Sequence, residues 1–255
     1  MSYLSVNNVQ LHYEERGADQ PLVLLHGLGS SARDWQLQFD AFAPDYRVIA
    51  VDMRGHGRSA KPRGPYSVSL FAKDTAAFMR ALNLPPAHVA GLSMGGMIAF
   101  QLALDAPELL KSLVIVNSAS ELIPRTWAER KDLLTRLFIA HLMGMRKMGR
   151  FLGERLFPEP QQAELRRIFA ERWAQNNKRA YLASFHALIG WSVTDRLGEI
   201  QCPTLIVAGD MDFFPLSFKQ ACAAKIPRAK LSVIKNSRHA TPVDQPERFN
   251  AALKA

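Results

Sequence analysis

The most informative segment of the sequence is HVAGLSMGGMIAF, residues His88–Phe100. An apolar run typical of a buried strand ends in Gly-x-Ser-x-Gly-Gly and is followed at once by residues that favour a helix. A serine that only capped this helix would need no glycine on either side. Glycines two positions before and two positions after Ser93 instead permit a sharp strand-to-helix turn that holds a hydroxyl above the strand ends in strained backbone. The pattern therefore predicts that Ser93 is a nucleophile.

Strand-like and helix-like segments alternate on both sides of this turn. The first 117 residues contain the short strand-like runs YLSV, VQLHYEE, PLVLLHG, YRVIAVD, HVAGLS and SLVIVN. Between them, SARDWQLQFDAFA and SLFAKDTAAFMRAL read as helices that begin at or near a serine able to cap them. The rhythm returns with CPTLIVAGD, a helix near LSFKQACAAKI, the strand KLSVIKN and a final helix from Pro246. Strands separated by helices predict a mainly parallel sheet covered on both faces.

The chain from about residue 121 to residue 194 contains no convincing strand. Apolar residues at helical spacing predict three helices there, one around Leu134, a second around Ile168 and a third around Phe185. The sequence therefore predicts an α/β core, residues 1–118 and 195–255, interrupted by a helical insert at residues 119–194.

The net charge of +9 is concentrated in this insert. Residues 119–196 hold 14 lysines and arginines against 8 acidic residues, whereas the remaining chain holds 18 against 15. Because the acidic residues are interspersed, a solvated helical surface is favoured over a polyanion-binding tail. No helix-turn-helix, zinc motif or aromatic-basic RNA-binding motif accompanies the charge, so nucleic-acid binding is not predicted.

Other features bound the class of protein. No apolar run approaches the roughly 18 residues that span a bilayer, and no signal peptide is apparent at the N-terminus. Cys202 and Cys222 offer neither a disulfide framework nor metal-ligand spacing. We expect a cytoplasmic protein, monomeric or homodimeric, with no cofactor, no metal and no stable membrane association.

A serine hydroxyl needs a base, and that base needs an acid. His239 lies just beyond the last predicted strand, where the loops at the carboxyl edge of an open α/β sheet form sites. The end of the preceding strand, in CPTLIVAGDMDFFP, supplies two candidate acids, Asp210 and Asp212. The sequence thus predicts a serine, an acid and a histidine at one edge of the sheet.

Over nearly its whole length the sequence resembles the α/β-hydrolase-fold family. The order serine, acid, histidine is that of the family. GLSMGG matches the nucleophile elbow, DMRGHGRS a common loop, HGLG the oxyanion loop, and HATPVDQPERF the segment that begins at the catalytic histidine. The resemblance implies an eight-stranded, mainly parallel sheet with helices on both faces and a helical cap inserted after the sixth strand.

The resemblance assigns roles residue by residue. Ser93 would be the nucleophile, His239 the base and Asp212 the acid, with the backbone N–H groups of Leu28 and Met94 as oxyanion donors. The family usually leaves three residues between the acid and the next proline, whereas two separate Asp212 from Pro215. Asp210 therefore stays open as an alternative acid. Arg238 also departs from the family, since a glycine often precedes the histidine.

The implied activity is that of a serine hydrolase acting on a small-molecule carboxylic ester or lactone, a carboxylesterase or lactonase. Serine at the elbow argues against the family branches that use aspartate there. The segment GLSMGGM also resembles the elbow of 3-oxoadipate enol-lactonases, and a basic cap would suit an acidic lactone. Carbon–carbon bond hydrolases and perhydrolases share the triad and stay open. So does a ligand receptor built on the same fold.

Overall fold

The computed structural model describes residues 2–254, and its centre is one eight-stranded sheet. The strands are β1 Ser2–Val6, β2 Val9–Arg16, β3 Pro21–Leu25, β4 Arg47–Val51, β5 Ala87–Leu92, β6 Leu110–Val116, β7 Thr204–Gly209 and β8 Ala229–Ile234. Their order is β1-β2-β4-β3-β5-β6-β7-β8. β2 pairs antiparallel with both β1 and β4, and all other pairs are parallel. The predicted sheet is confirmed.

Helices cover both faces of the sheet, as predicted. They are α1 Gln36–Phe42, α2 Val68–Ala81, α3 Met94–Asp105, α4 Trp127–Phe138, α5 Gly144–Leu156, α6 Ala163–Ala174, α7 Lys178–Leu188, α8 Leu216–Lys225, α9 Thr241–Asp244 and α10 Pro246–Lys254. One apolar layer holds Phe71 and Ile98, and a second holds Phe39 and Phe249. Ser67 caps α2, because its side chain accepts a hydrogen bond from the Leu70 N–H at 3.0 Å.

The segment between β6 and β7 is helical, but it contains four helices where the sequence predicts three. The additional helix is α5, which follows a π-helical turn at Ile139–Met143. Met145, Met148 and Leu152 form its buried side. These positions recur at helical spacing, but Gly149 and Gly153 lie on the same buried side, and glycine is a poor helix former, so sequence analysis missed the helix.

The two segments that connect this helical region to the sheet pair with each other. Gly190 donates its N–H to the Leu122 carbonyl at 2.9 Å, and Val193 donates to the Ser120 carbonyl at 2.8 Å. These paired residues lie just inside the predicted boundaries at residues 119 and 194. The division into a core and a cap stays a prediction, and we use the word cap for residues 119–194.

The sheet gathers its loops at one edge. The parallel strands β3, β5, β6, β7 and β8 all end on the same side, so the segments that follow them meet there. Among residues 2–254, no helix is long and apolar enough to cross a membrane.

Candidate active site

Ser93 lies on the turn between β5 and α3 with φ 54° and ψ −114°. A side chain on Gly91 would collide with the Gly95 carbonyl, and a side chain on Gly95 would collide with the Leu25 carbonyl at the end of β3. The two glycines are therefore required for different reasons. The first lets the turn close on itself, and the second lets α3 start against the neighbouring strand.

Hydrogen bonds hold this strained residue on all sides. The Ser93 N–H donates to the Val116 carbonyl at 2.9 Å. Its carbonyl accepts from the Ser118 hydroxyl at 2.7 Å and from the Gly96 and Met97 N–H groups at 2.9 and 3.1 Å. Strained backbone persists where its surroundings fix it in this way, and such positions cluster at functional sites.

His239 and Asp212 form a hydrogen-bonded pair after β8 and β7. His239 Nδ1 lies 2.5 Å from Asp212 Oδ1, which also accepts the Phe213 N–H at 2.7 Å. The Phe213 ring stacks on the imidazole with a centroid separation of 4.8 Å. Asp210, the alternative left open by the sequence, is exposed, and its carboxylate accepts the Ser237 N–H at 3.2 Å. Asp212, and not Asp210, therefore contacts His239.

A buried lysine holds the second oxygen of this carboxylate. Lys219 Nζ on α8 lies 2.5 Å from Asp212 Oδ2 and donates to the Phe214 carbonyl at 3.1 Å. Both charged side chains are fully buried. Burial alone would raise the pKa of Asp212, but His239 and then Lys219 outweigh it and hold the pKa below its ordinary value. Sequence analysis missed Lys219, which lies in a helix with no acidic neighbour.

Asn117 joins three of the loops at this edge. It follows β6 with φ 43°, and its amide nitrogen lies 2.9 Å from the carbonyls of Arg238 and His239 and 2.7 Å from the Thr241 hydroxyl. Its side-chain oxygen accepts the Gly209 N–H at 2.8 Å. One buried side chain thus fixes the segment that carries His239, residues 235–241, against the end of β7. We call this segment the histidine loop. Its only sequence signal is an asparagine at a strand end.

The two predicted oxyanion donors belong to segments that adjoin Ser93. Met94 opens α3, where the first N–H groups have no acceptor within the helix. Leu28 follows β3, and the adjacent Gly27 packs close to the Ser93 side chain. The structure therefore brings the loop that carries Leu28 close to the turn that carries Met94.

The loop that carries Leu28 is braced from the core and from the cap. Burial lowers the pKa of His26, whose Nε2 accepts the Met53 N–H at 3.0 Å. Asn176 of the cap donates to the Gly29 carbonyl at 2.7 Å. Gly29 has φ +74°, and a side chain there would collide with the Trp173 ring. His26 therefore stabilises this loop from the core, and Trp173 and Asn176 hold it in position from the cap.

A cavity of about 410 Å³ joins these residues. Leu28, Ser93 and His239 line it from the sheet edge. Most of the remaining wall is apolar and includes Met97, Leu133, Leu152, Trp173, Phe185, Leu188, Phe213 and Phe214. This volume lies within the range of small-molecule sites, which are mostly apolar with a few polar groups. Within residues 2–254 we find no cluster of side chains able to hold a metal ion.

Arg238 points toward the cap. Its guanidinium lies 3.7 Å from the Glu159 carboxylate, and its backbone N–H donates to the Asp244 carboxylate at 2.8 Å. The residue that replaces the family's usual glycine therefore adds a contact between the histidine loop and the cap.

A nucleophile elbow at the carboxyl edge of such a sheet is typical of the α/β hydrolases. The chain belongs to this family, since the sequence model described as the alpha/beta hydrolase fold matches residues 20–246. The family, its hydrolase character and the fold expected from the sequence are thereby confirmed.

Relatives and solved structures agree over almost the full length. The chain is 31% identical to (E)-2-((N-methylformamido)methylene)succinate hydrolase of Acinetobacter baylyi, covering 98% of this chain and 94% of the relative. It is 30% identical to 3-oxoadipate enol-lactonase 2 of the same organism, covering 99% and 94%. The crystal structure of a hydrolase from Pseudomonas aeruginosa superimposes with a TM-score of 0.89 at 28% identity, covering 99% and 96%.

Proposed function

We propose that this protein is a serine hydrolase of carboxylic esters or lactones, with Ser93 as nucleophile, His239 as base and Asp212 as acid. The observation that carries the proposal is that a serine on a strained elbow and a histidine paired to a buried aspartate line one cavity. Similarity to an enol-lactonase over almost the whole chain supports the carbonyl substrate.

The first half of the reaction forms an acyl-enzyme. Ser93 Oγ attacks the carbonyl carbon while His239 Nε2 takes the hydroxyl proton. Asp212 accepts the opposite Nδ1–H and stabilises the cation that forms. The N–H groups of Leu28 and Met94 bind the new oxyanion, each such donor being typically worth about 10²–10³ in rate. The C–O bond then breaks, and the alcohol leaves with the proton from His239.

The second half releases the acid. His239 takes a proton from water, whose oxygen attacks the acyl carbon, and the same two N–H groups bind the second oxyanion. Collapse returns the proton to Ser93 Oγ and frees the carboxylic acid. No metal or cofactor takes part in these steps.

The test is hydrolysis of p-nitrophenyl acetate, butyrate and octanoate by the wild type, Ser93→Ala and Ser69→Ala. Loss of the nucleophile is expected to lower kcat/KM by about 10³-fold or more. Ser69 lies on α2 away from the cavity, so its variant serves as the matched control and should equal the wild type. The chain-length profile measures how much of the apolar cavity the acyl group can fill.

Two results would contradict the proposal. One is a folded wild type that hydrolyses none of these esters and no simple lactone. The other is a Ser93→Ala variant as active as the wild type. Slow turnover with a large ligand-induced rise in Tm would instead favour a receptor on the same fold.

A further inference from the structure

The cavity contains a guanidinium group that has no acidic partner. Arg136, on the cap helix α4, lines the cavity together with Ser93 and His239. Its Nε is buried and has no hydrogen-bond partner among residues 2–254. The guanidinium carbon lies 4.7 Å from the centroid of the Phe185 ring, which is also part of the wall.

None of the carboxylates that line the same cavity forms an ion pair with Arg136, and each of them has another partner. Their partners are Ser30 and Arg172 for Asp34, Arg125 for Glu121, the N–H groups of Arg125 and Thr126 for Glu129, and Arg155 for Asp132. Arg136 has no ion pair within the described part of the chain, whereas the other arginine of the wall, Arg155, lies 2.7 Å from Asp132.

The surroundings of Arg136 favour an anion over a neutral group. The buried Tyr181 hydroxyl lies nearby; burial raises the pKa of Tyr181, and the charge of Arg136 and a hydrogen bond from its guanidinium oppose that rise. A partly desolvated cation without a counter-charge is costly, and a carboxylate is the planar anion that a guanidinium binds with paired hydrogen bonds. One anionic group on a ligand would therefore complete the cavity.

We propose that Arg136 binds a carboxylate of the substrate, so that the enzyme acts on esters or lactones that carry a second, free carboxylate. This rests on the function proposed above, because it places the anion and the reacting carbonyl in the same cavity. The apolar wall between them would contact the carbon chain, and Arg136 would set which end of the substrate reaches Ser93.

A matched pair of substrates tests this directly. The acid is p-nitrophenyl hydrogen adipate, and the neutral isostere is its terminal amide; shorter diacid monoesters cyclise spontaneously and are avoided. The wild type should prefer the acid, and Arg136→Gln should lower kcat/KM for the acid by about 10- to 100-fold, the range for a lost charge-assisted hydrogen bond. The amide should change less than about threefold.

Two control variants locate the effect. Arg130→Gln removes an exposed arginine from the same helix outside the cavity and should leave both rates unchanged. Arg155→Gln removes the paired arginine of the wall. If Arg155→Gln abolishes the preference for the acid while Arg136→Gln keeps it, the proposal is wrong. It is equally wrong if the wild type hydrolyses the amide as well as the acid.

A binding measurement separates this proposal from the function. Calorimetric titration of adipate into Ser93→Ala and into Ser93→Ala/Arg136→Gln does not depend on turnover. Binding that is lost with Arg136 supports the carboxylate site even if no ester is hydrolysed, in which case only the proposed reaction fails. Absent binding, or equal binding by both variants, overturns the carboxylate site whatever the esterase assay gives.

Discussion

The carboxyl edge of the sheet and the cap helix α4 line the same cavity but are built in different ways. At the sheet edge, the charged and polar groups of Asp212 and Asn117 are buried and satisfied from several loops. Helix α4 has no buried residue, and its Leu134 and Phe138 side chains are 58% and 57% exposed. Groups that take part in a reaction must be held at fixed distances from the reacting atoms. Groups that only bind a substrate can lie on a surface whose side chains adjust. Four predictions test this difference, in order of decreasing expected effect.

The first prediction replaces the Asp212 carboxylate with an amide of the same shape. Asp212→Asn should lower kcat by about 10³–10⁴-fold, because the amide cannot stabilise the imidazolium and favours the wrong tautomer. Asp210→Asn is the matched control and should lose less than about threefold, since its carboxylate only holds the Ser237 N–H. Steady-state kinetics on p-nitrophenyl butyrate provide the measurement. Equal losses in both variants would contradict the assignment of Asp212.

The second prediction concerns the buried lysine. The pKa of Asp212 in the folded state is below its ordinary value of 3.8, so its ionised form contributes stability above about pH 4 that is lost as the pH falls through the folded-state pKa. Lys219→Met raises that pKa and should cost about 3 kcal/mol of unfolding free energy at pH 7, as for other broken buried pairs.

The pH dependence is the decisive part of this test. The cost of Lys219→Met should shrink as the pH falls through the lowered folded-state pKa of Asp212, below which this carboxyl is protonated in both folded and unfolded states. Urea denaturation at several pH values measures it. Lys225→Met, at the exposed end of the same helix, is the control. A cost that does not vary with pH would mean that Lys219 contributes packing alone.

The third prediction loosens the loops without changing the Asp212 carboxylate or the His239 imidazole. Asn117→Ala should lower the unfolding free energy by about 2 kcal/mol, because it leaves buried groups unpaired. It should also lower kcat by about 10- to 100-fold, since small misplacements at a reacting centre are costly. Asn236→Ala is the control, as Asn236 has a similar φ of 56° but is exposed. A loss of stability with unchanged kcat would contradict a positioning role.

The fourth prediction tests the surface of the cap. Leu134→Gln should change the unfolding free energy by less than about 0.5 kcal/mol, since most of this side chain is already in water. Thermal denaturation measures it, with the buried cap residue Leu152→Gln as the destabilised counterpart. A large loss from Leu134→Gln would show that α4 is packed more tightly than its exposure indicates.

The sequence predicted the parts of this molecule that depend on local spacing. The alternation of strands and helices, the elbow glycines and the motif-borne positions of Ser93 and His239 are all readable from neighbouring residues. The spacing to Pro215 left Asp210 and Asp212 unresolved, because which carboxylate turns inward depends on how β7 and β8 end. That choice is visible only in three dimensions.

The groups that escaped prediction act across long sequence separations. Asn117 reaches residues of the histidine loop more than 120 positions away, and no pattern near Asn117 indicates them. Lys219 has no apolar or charged period that marks it as buried, and α5 was missed because glycines interrupt its apolar face. Burial of a polar group is a property of the packed fold and not of its local segment.

The junction of Gly29 with Trp173 and Asn176 has a consequence for recombining this enzyme with its relatives. A chimera that receives a foreign cap would lose the ring that fills the space beside Gly29 and the amide that holds its carbonyl. Since Leu28 immediately precedes Gly29 on that loop, such a graft would alter turnover even for substrates that never touch the new helices. The residues at positions 29, 173 and 176 must therefore be exchanged together.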